Sequence, residues 1–172
     1  MIEQSLKSDN ILSQIINQSL SEKIIDIDEE RISLLIFKLG ESLFAFYGSQ
    51  AREILPFTEI TWIPGATAQL PGVVNIRGDV AAVLELTQVL NIHRIDSNLS
   101  GTFLIMVRVG DGRTGILVDS IVDVVEIPVS EAVQILPTLD ERFKQFAVSQ
   151  FAYKTAMVTI LDAAQIIEQA IS

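Results

Sequence analysis

The chain has 172 residues, which is enough for one domain or two small interlocked lobes with a real core. Its 22 acidic residues against 12 lysines and arginines give a formal net charge of −10, which argues against binding to nucleic acid or to an anionic membrane surface. There is no cysteine for disulfides or thiol chemistry, and no apolar run approaches the roughly 18 residues of a membrane span, so we expect a cytoplasmic protein.

Residues 1–31 differ from the rest of the chain in the spacing of their apolar residues. Leu12, Ile16 and Leu20 recur every four residues with polar residues between them, a pattern that predicts an amphipathic helix. An acidic link follows at residues 26–30. We interpret the segment as a helical extension that either packs on its own protein or docks to a partner.

The next part of the chain has the pattern of short β-strands. Two apolar runs, residues 32–39 and 43–47, are separated by a Gly-Glu-Ser turn, which predicts a hairpin. A further strand is predicted over residues 50–55. The only tryptophan, Trp62, is expected to pack in the core or between lobes.

Residues 70–86 are the most informative stretch. Two β-branched runs flank a tight Asn-Ile-Arg-Gly turn, which indicates two strands buried on most sides with Arg77 at the corner between them. A planar group with five donors at a rigid corner suits a buried carboxylate or the surface of a partner. An arginine at a solvated hairpin tip is the alternative.

The remaining residues predict more strands and two helices. Residues 102–109 and the longer run 114–125 read as strands joined by a Gly-Asp-Gly turn. A short helix is predicted at 140–145 and a closing hairpin over 146–161. Asp162 is a good N-cap for a terminal helix.

No constellation of residues indicates an enzyme, and we predict no catalytic residue, no metal site and no cofactor. The only histidine, His93, stands in a polar loop, and without cysteine the chain has no credible zinc or redox site. Phosphate-loop and nucleophile-elbow motifs do not occur. Asp119 and Asp123 would share one face of an extended strand, so a carboxylate pair of the glycosidase kind stays as an alternative.

Three segments, in order, resemble the landmarks of the CheW-like chemotaxis coupling proteins. Residues 71–78, Pro-Gly-Val-Val-Asn-Ile-Arg-Gly, followed by a strand that ends in Val-Leu-Glu-Leu, closely resemble the family signature. The segment that contains Glu53 resembles the family's Val-x-Glu-Ile, and residues 115–124 resemble its Gly-x-x-Val-Asp-x-Val-x-x-Val. The resemblance covers roughly residues 33–169.

The resemblance implies a mainly β fold: two packed five-stranded SH3-like β-barrel lobes over residues 32–172, with an N-terminal amphipathic helix and a C-terminal helix. It implies a non-catalytic scaffold that links the cytoplasmic tip of a methyl-accepting receptor to the regulatory domain of a CheA-type histidine kinase. Chemotaxis, phototaxis and pilus motility are all compatible pathways. Such a scaffold would be recruited to membrane receptor clusters without inserting into the bilayer. A stand-alone module that binds a peptide or small ligand between its lobes is the alternative function.

We place the partner-binding surface at the corner around Arg77, which is expected to pair with Glu53. The expected contact residues on this side are Ala51, Glu53, Gly72, Val74, Asn75, Arg77, Gly78 and Val80. A second, apolar side is expected at Phe103, Ile121 and Val124. Core packing is the alternative for the apolar members of both sets.

Overall fold

A computed structural model describes residues 11–17, 29–94, 96 and 98–172. The chain divides into two units, Met1–Arg31 and Ile32–Ser172. No helix in the described ranges is long and apolar enough to cross a bilayer.

In the first unit, residues 11–17 form a helix (α1), as the spacing of Leu12 and Ile16 predicts. Leu20 and most of the acidic link lie outside the described residues. The apolar side chains of α1 are each more than half exposed; they are Ile11, Leu12, Ile15 and Ile16.

From Arg31 onward the described chain is mainly strand, with three further helices. The strands are β1 (Arg31–Leu39), β2 (Ser42–Tyr47), β3 (Ala51–Pro56), β4 (Thr61–Trp62), β5 (Gly72–Ile76), β6 (Asp79–Glu85), β7 (Phe103–Val109), β8 (Gly112–Val118), β9 (Ser120–Pro128), β10 (Ala147–Tyr153) and β11 (Ala156–Leu161). The helices are α2 (Leu86–Val89), α3 (Glu141–Lys144) and α4 (Ala163–Ile171), with a 3₁₀ turn at Val129–Glu131.

The strands form two sheets, which confirms the mainly β fold class. One sheet has five strands in the order β10-β11-β2-β1-β9, and the other has six in the order β3-β7-β8-β6-β5-β4. The sixth strand, beyond the five expected, arises because the short β4 pairs with the edge of β5. Six of the neighbouring pairs are antiparallel, whereas β11 beside β2 and β6 beside β8 are parallel.

The long strand predicted over residues 114–125 is in fact two strands in different sheets. β8 ends just before Asp119 in the six-stranded sheet, and β9 begins just after it in the five-stranded sheet. Asp119 anchors this crossing. Its backbone N–H donates to the Lys38 carbonyl at 3.1 Å, and its carboxylate accepts from the Gly40 N–H at 2.7 Å.

The largest hydrophobic core lies between the two sheets. Phe37 and Phe44 from β1 and β2 meet Ile105 and Ile116 from β7 and β8, all essentially without solvent exposure. The helix α4 packs Ile166 and its neighbour into the same cluster. Because both sheets contribute their inner faces, this shared core holds them in one unit.

The N-cap predicted for α4 is confirmed. The Asp162 side chain accepts hydrogen bonds from the backbone N–H of Ala164 at 3.0 Å and of Gln165 at 3.3 Å. Two of the otherwise unpaired amides of the first turn are satisfied in this way.

Trp62 does not pack in the core, contrary to the prediction, and 57% of its surface is exposed. It lies on the two-residue edge strand β4, directly opposite Gly72. A Cβ at Gly72 would lie 2.3 Å from the carbonyl oxygen of Thr61, so only glycine lets β4 approach this closely. The edge position leaves the tryptophan at the rim of the sheet.

Candidate functional site

The corner around Arg77 is a two-residue hairpin turn between β5 and β6. Arg77 has φ of 52° and Gly78 has φ of 85°, as a type I′ turn requires. The Asn75 side chain accepts from the Gly78 N–H at 3.0 Å and braces the turn. A non-glycine residue in this left-handed conformation destabilises the turn by about 1 kcal/mol. Arginine therefore occupies a position where asparagine or glycine would be less strained.

Arg77 forms the expected ion pair with Glu53 of β3. The guanidinium donates twice, from Nη1 to Oε2 at 3.3 Å and from Nη2 to Oε1. The Arg77 side chain is 71% exposed and the Glu53 side chain is 33% exposed. An ion pair this open to water contributes about 0–1 kcal/mol of stability, so its main effect is to orient two charged groups at the surface.

Two residues expected at this corner are buried instead. Val74 is 1% exposed and packs with Val83 and Leu104, and Gly72 is buried where it pairs with Trp62 of β4. Alternate residues of a strand point to opposite faces, and positions 72 and 74 point into the core. Neither side chain position is available to a partner.

The other expected residues of the corner lie at or near the surface. Val80, paired with Asn75 across the hairpin, is 68% exposed. Asn75 and Gly78 are exposed as well. Ala51, two positions before Glu53 in β3, is partly buried against the central core.

The second expected side is separate from the corner. Phe103 begins β7, roughly 17 Å along the strand from the Arg108 end that faces the corner. Phe103 and Ile121 both pack partly buried against the central core. Val124, on β9 in the five-stranded sheet, is 61% exposed. Of the three, Val124 is therefore the residue best placed for an external contact.

A cleft of about 280 Å³ opens beside the Arg77–Glu53 pair, and sequence reasoning missed most of its charged residues. Its walls carry four arginines, which are Arg52, Arg77, Arg108 and Arg113, and two carboxylates, which are Glu53 and Asp79. A signal was present in the sequence, because a tight turn between β7 and β8 places Arg108 directly opposite Arg113. Arg52 lacked any such signal, since its neighbourhood depends on how β3 pairs.

A second charged cluster connects the end of β6 with Asp119, where the chain passes from one sheet to the other. Arg94 Nη2 lies 2.9 Å from Glu85 Oε1, and Arg94 Nε lies 3.1 Å from Asp119 Oδ1. The Arg94, Glu85 and Asp119 side chains are 14%, 11% and 25% exposed, and the Thr87 hydroxyl also donates to Glu85 at 2.7 Å. This cluster is mostly buried, so it positions the crossing rather than presenting a surface. His93, beside it, is exposed as expected.

Asp119 and Asp123 do not form the carboxylate pair considered from the sequence. Asp119 is engaged by Arg94 and Gly40 at the sheet crossing, whereas Asp123 accepts from the Tyr153 hydroxyl at 2.7 Å. The Tyr153 hydrogen bond, with a second one from the Val124 N–H, lowers the pKa of the Asp123 carboxyl. A general acid needs a raised pKa, so Asp123 does not suit that role, and the separate partners of the two carboxylates do not support a glycosidase-type site.

The arrangement of two sheets around one shared core has a counterpart among solved structures. A solved structure of the scaffolding protein TtCheW from Thermoanaerobacter tengcongensis matches it with a TM-score of 0.70. That match covers 80% of this chain and 88% of the other at 20% identity.

Sequence comparison identifies the family. A family model described as "CheW-like domain" matches residues 33–170. A probable chemotaxis protein CheW of Rhizobium etli is 25% identical over 83% of this chain and 92% of its own length. The chemotaxis protein CheW of Thermotoga maritima is 24% identical over 81% of this chain and 90% of its own length. The chain belongs to the CheW-like family.

Proposed function

We propose that this chain is a non-catalytic chemotaxis scaffold that couples methyl-accepting receptors to a CheA-type histidine kinase. Its family membership and the names of its relatives favour chemotaxis over phototaxis and pilus motility. It acts in the cytoplasm, at receptor clusters, through the kinase's regulatory domain and the receptor's cytoplasmic tip. The observation that carries the proposal is the exposed Arg77–Glu53 pair on a left-handed turn.

The corner can orient a partner before apolar contacts form. Glu53 holds the exposed Arg77 guanidinium in place, so less side-chain entropy is lost when a partner binds it. Val80 offers an exposed apolar contact on the same hairpin. Charged groups of this kind set the orientation of an interface more than its affinity.

A scaffold needs two separate contact surfaces, and the chain offers two. The corner with Val80 belongs to the six-stranded sheet, whereas Val124 belongs to the five-stranded sheet. Partners at these two places would not compete for the same residues. The space between the sheets is filled by the shared core, so no observation on the described residues favours a ligand-binding module there.

Calorimetric titration tests the proposal with two probes, the regulatory domain of a CheA-like kinase and the cytoplasmic tip of a receptor from the same cell. We expect Val80→Ser to weaken binding of one probe and Val124→Ser to weaken binding of the other. Val148→Ser, which changes an exposed valine on β10, is the matched control and should bind both like wild type. Failure of the wild-type chain to bind either probe would refute the coupling role and favour the peptide- or ligand-binding alternative.

A further inference from the structure

Two arginines face each other across the β7–β8 hairpin. Arg108 and Arg113 are directly opposite in the strand register, so their side chains leave the same face of the sheet. Like charges in directly opposed positions destabilise a strand pair. The Arg113 guanidinium reaches Asp79 at 3.5 Å, whereas Arg108 donates only to the Gly110 carbonyl, at 3.3 Å, among the residues that the structure describes. The hairpin therefore holds a repulsive pair that is only half compensated.

These arginines belong to the cleft beside the Arg77 corner. Four guanidinium groups against two carboxylates leave the cleft a formal charge of +2, in a chain whose net charge is −10. Arg52, on the cleft wall, makes no ion pair with any described residue. One-third of the chain's lysines and arginines thus gather in one small depression, which is an electropositive exception on an acidic protein.

The size and lining of the cleft suit a single side chain. Its volume of about 280 Å³ lies near the lower end of the roughly 300–1,000 Å³ that small-molecule pockets occupy. Ile76, Ala81 and Met106 give it apolar walls beneath the charged rim. An apolar stem with an anionic end fits this arrangement.

We propose that the cleft receives a glutamate or aspartate side chain from an acidic segment of a partner protein. The inference rests on the proposed coupling function and adds the chemistry of the partner's contact segment. The incoming carboxylate binds between Arg52 and Arg108, the two guanidinium groups without a carboxylate of their own. It also relieves the repulsion between Arg108 and Arg113.

The cleft's own ion pairs favour a carboxylate as the ligand. Arg77 binds the Glu53 carboxylate through two hydrogen bonds, and the Arg113 guanidinium lies beside the Asp79 carboxylate. A carboxylate from a partner would pair with Arg52 and Arg108 in the same way. Phosphate is the competing anion, and competition by phosphate and by acetate distinguishes the two.

The test compares two double variants that lose the same amount of charge. Arg52→Ala/Arg108→Ala removes the two unpaired cleft arginines and leaves the Arg77–Glu53 and Arg113–Asp79 pairs intact. Lys38→Ala/Lys144→Ala removes two cations outside the cleft and gives the same net charge. Each full-length protein is titrated with the kinase regulatory domain and with the receptor tip, in 50 and 300 mM NaCl.

We expect the cleft variant to bind one of the two probes about tenfold more weakly at low salt and to lose much of the salt dependence of that binding. The affinity of the lysine control should stay within about twofold of wild type, because salt screens charges that lie outside the binding site. Equal effects of the two double variants, or wild-type binding that salt does not weaken, would overturn the inference and leave the coupling role standing. Stronger competition by inorganic phosphate than by acetate at equal ionic strength would overturn the choice of a carboxylate. Wild-type protein that binds neither probe would remove the coupling role and this inference together.

Discussion

Replacement of Arg77 by asparagine separates the function of this residue from its contribution to stability. Asparagine tolerates the φ of 52° at this position better than arginine does, so the variant recovers part of the backbone strain of about 1 kcal/mol. The variant also loses an ion pair with a 71% exposed arginine, which is worth about 0.2–1 kcal/mol. The two terms have opposite signs, so the free energy of unfolding should change by no more than about 1 kcal/mol. A free-energy change of about 1 kcal/mol corresponds to a Tm shift of about 2–4 °C for a domain of this size.

Binding should respond far more strongly than stability. Loss of the guanidinium leaves Glu53 facing the partner without its cation, and we expect the affinity for the kinase domain or the receptor tip to fall about tenfold, or about 1.4 kcal/mol. Arg77→Ala should reduce binding equally but lower stability slightly, since alanine keeps the left-handed strain and loses the ion pair. Urea denaturation and calorimetric titration of the same preparations measure the two effects.

The chain provides a matched control for this experiment. Lys154 is also an exposed cation with φ of 52°, at the turn between β10 and β11 in the other sheet. Lys154→Asn should relieve similar strain, remove the same charge and leave unchanged the binding of the probe that Arg77→Asn weakens. A loss of more than about 2 kcal/mol of stability in Arg77→Asn would mean that Arg77 is structural, because exposed pairs contribute less than that. Unchanged binding by Arg77→Asn would show that no partner uses the guanidinium.

Three further changes test the framework around the site. Gly72→Ala should lower the free energy of unfolding by about 1–3 kcal/mol in urea denaturation, because the new Cβ would overlap the carbonyl of Thr61; wild-type stability would mean that β4 yields readily. Arg94→Ala should cost about 3–5 kcal/mol by the same measurement, since it leaves two largely buried carboxylates unpaired, and a loss below 1 kcal/mol would contradict a structural role for the cluster. Hydrogen bonds from Arg142 lower the pKa of the Asp140 carboxyl from 3.8 to about 2, so its stabilising effect is complete above pH 4 and disappears as the pH falls toward 2. Asp140→Asn should therefore flatten the fall of Tm over that range, and identical Tm profiles would argue against the pairing.

The sequence by itself determined the local elements and the family of this protein. Short apolar runs bounded by Gly-containing turns located the hairpins, and a side-chain oxygen before an apolar run located the cap of α4 at Asp162. The signature around Arg77 marked the corner and its partner Glu53, which the ion pair confirms. The hairpins and the helix cap depend on residues that are close together in the chain. The Arg77–Glu53 pair was predicted from the resemblance to the family.

Only the tertiary structure decided which of these residues meet and which face water. The run through Asp119 looks continuous because both flanking strands are apolar, and its break appears once Lys38, Gly40 and Arg94 bond to Asp119. The burial of Val74 and the exposure of Trp62 depend on which strand covers which face of the sheet. The arginine cleft forms because the order β3-β7-β8-β6-β5 brings residues from distant parts of the chain to one end of a sheet. Such an order is set by the summed packing of two sheets on a shared core, and no local pattern encodes it.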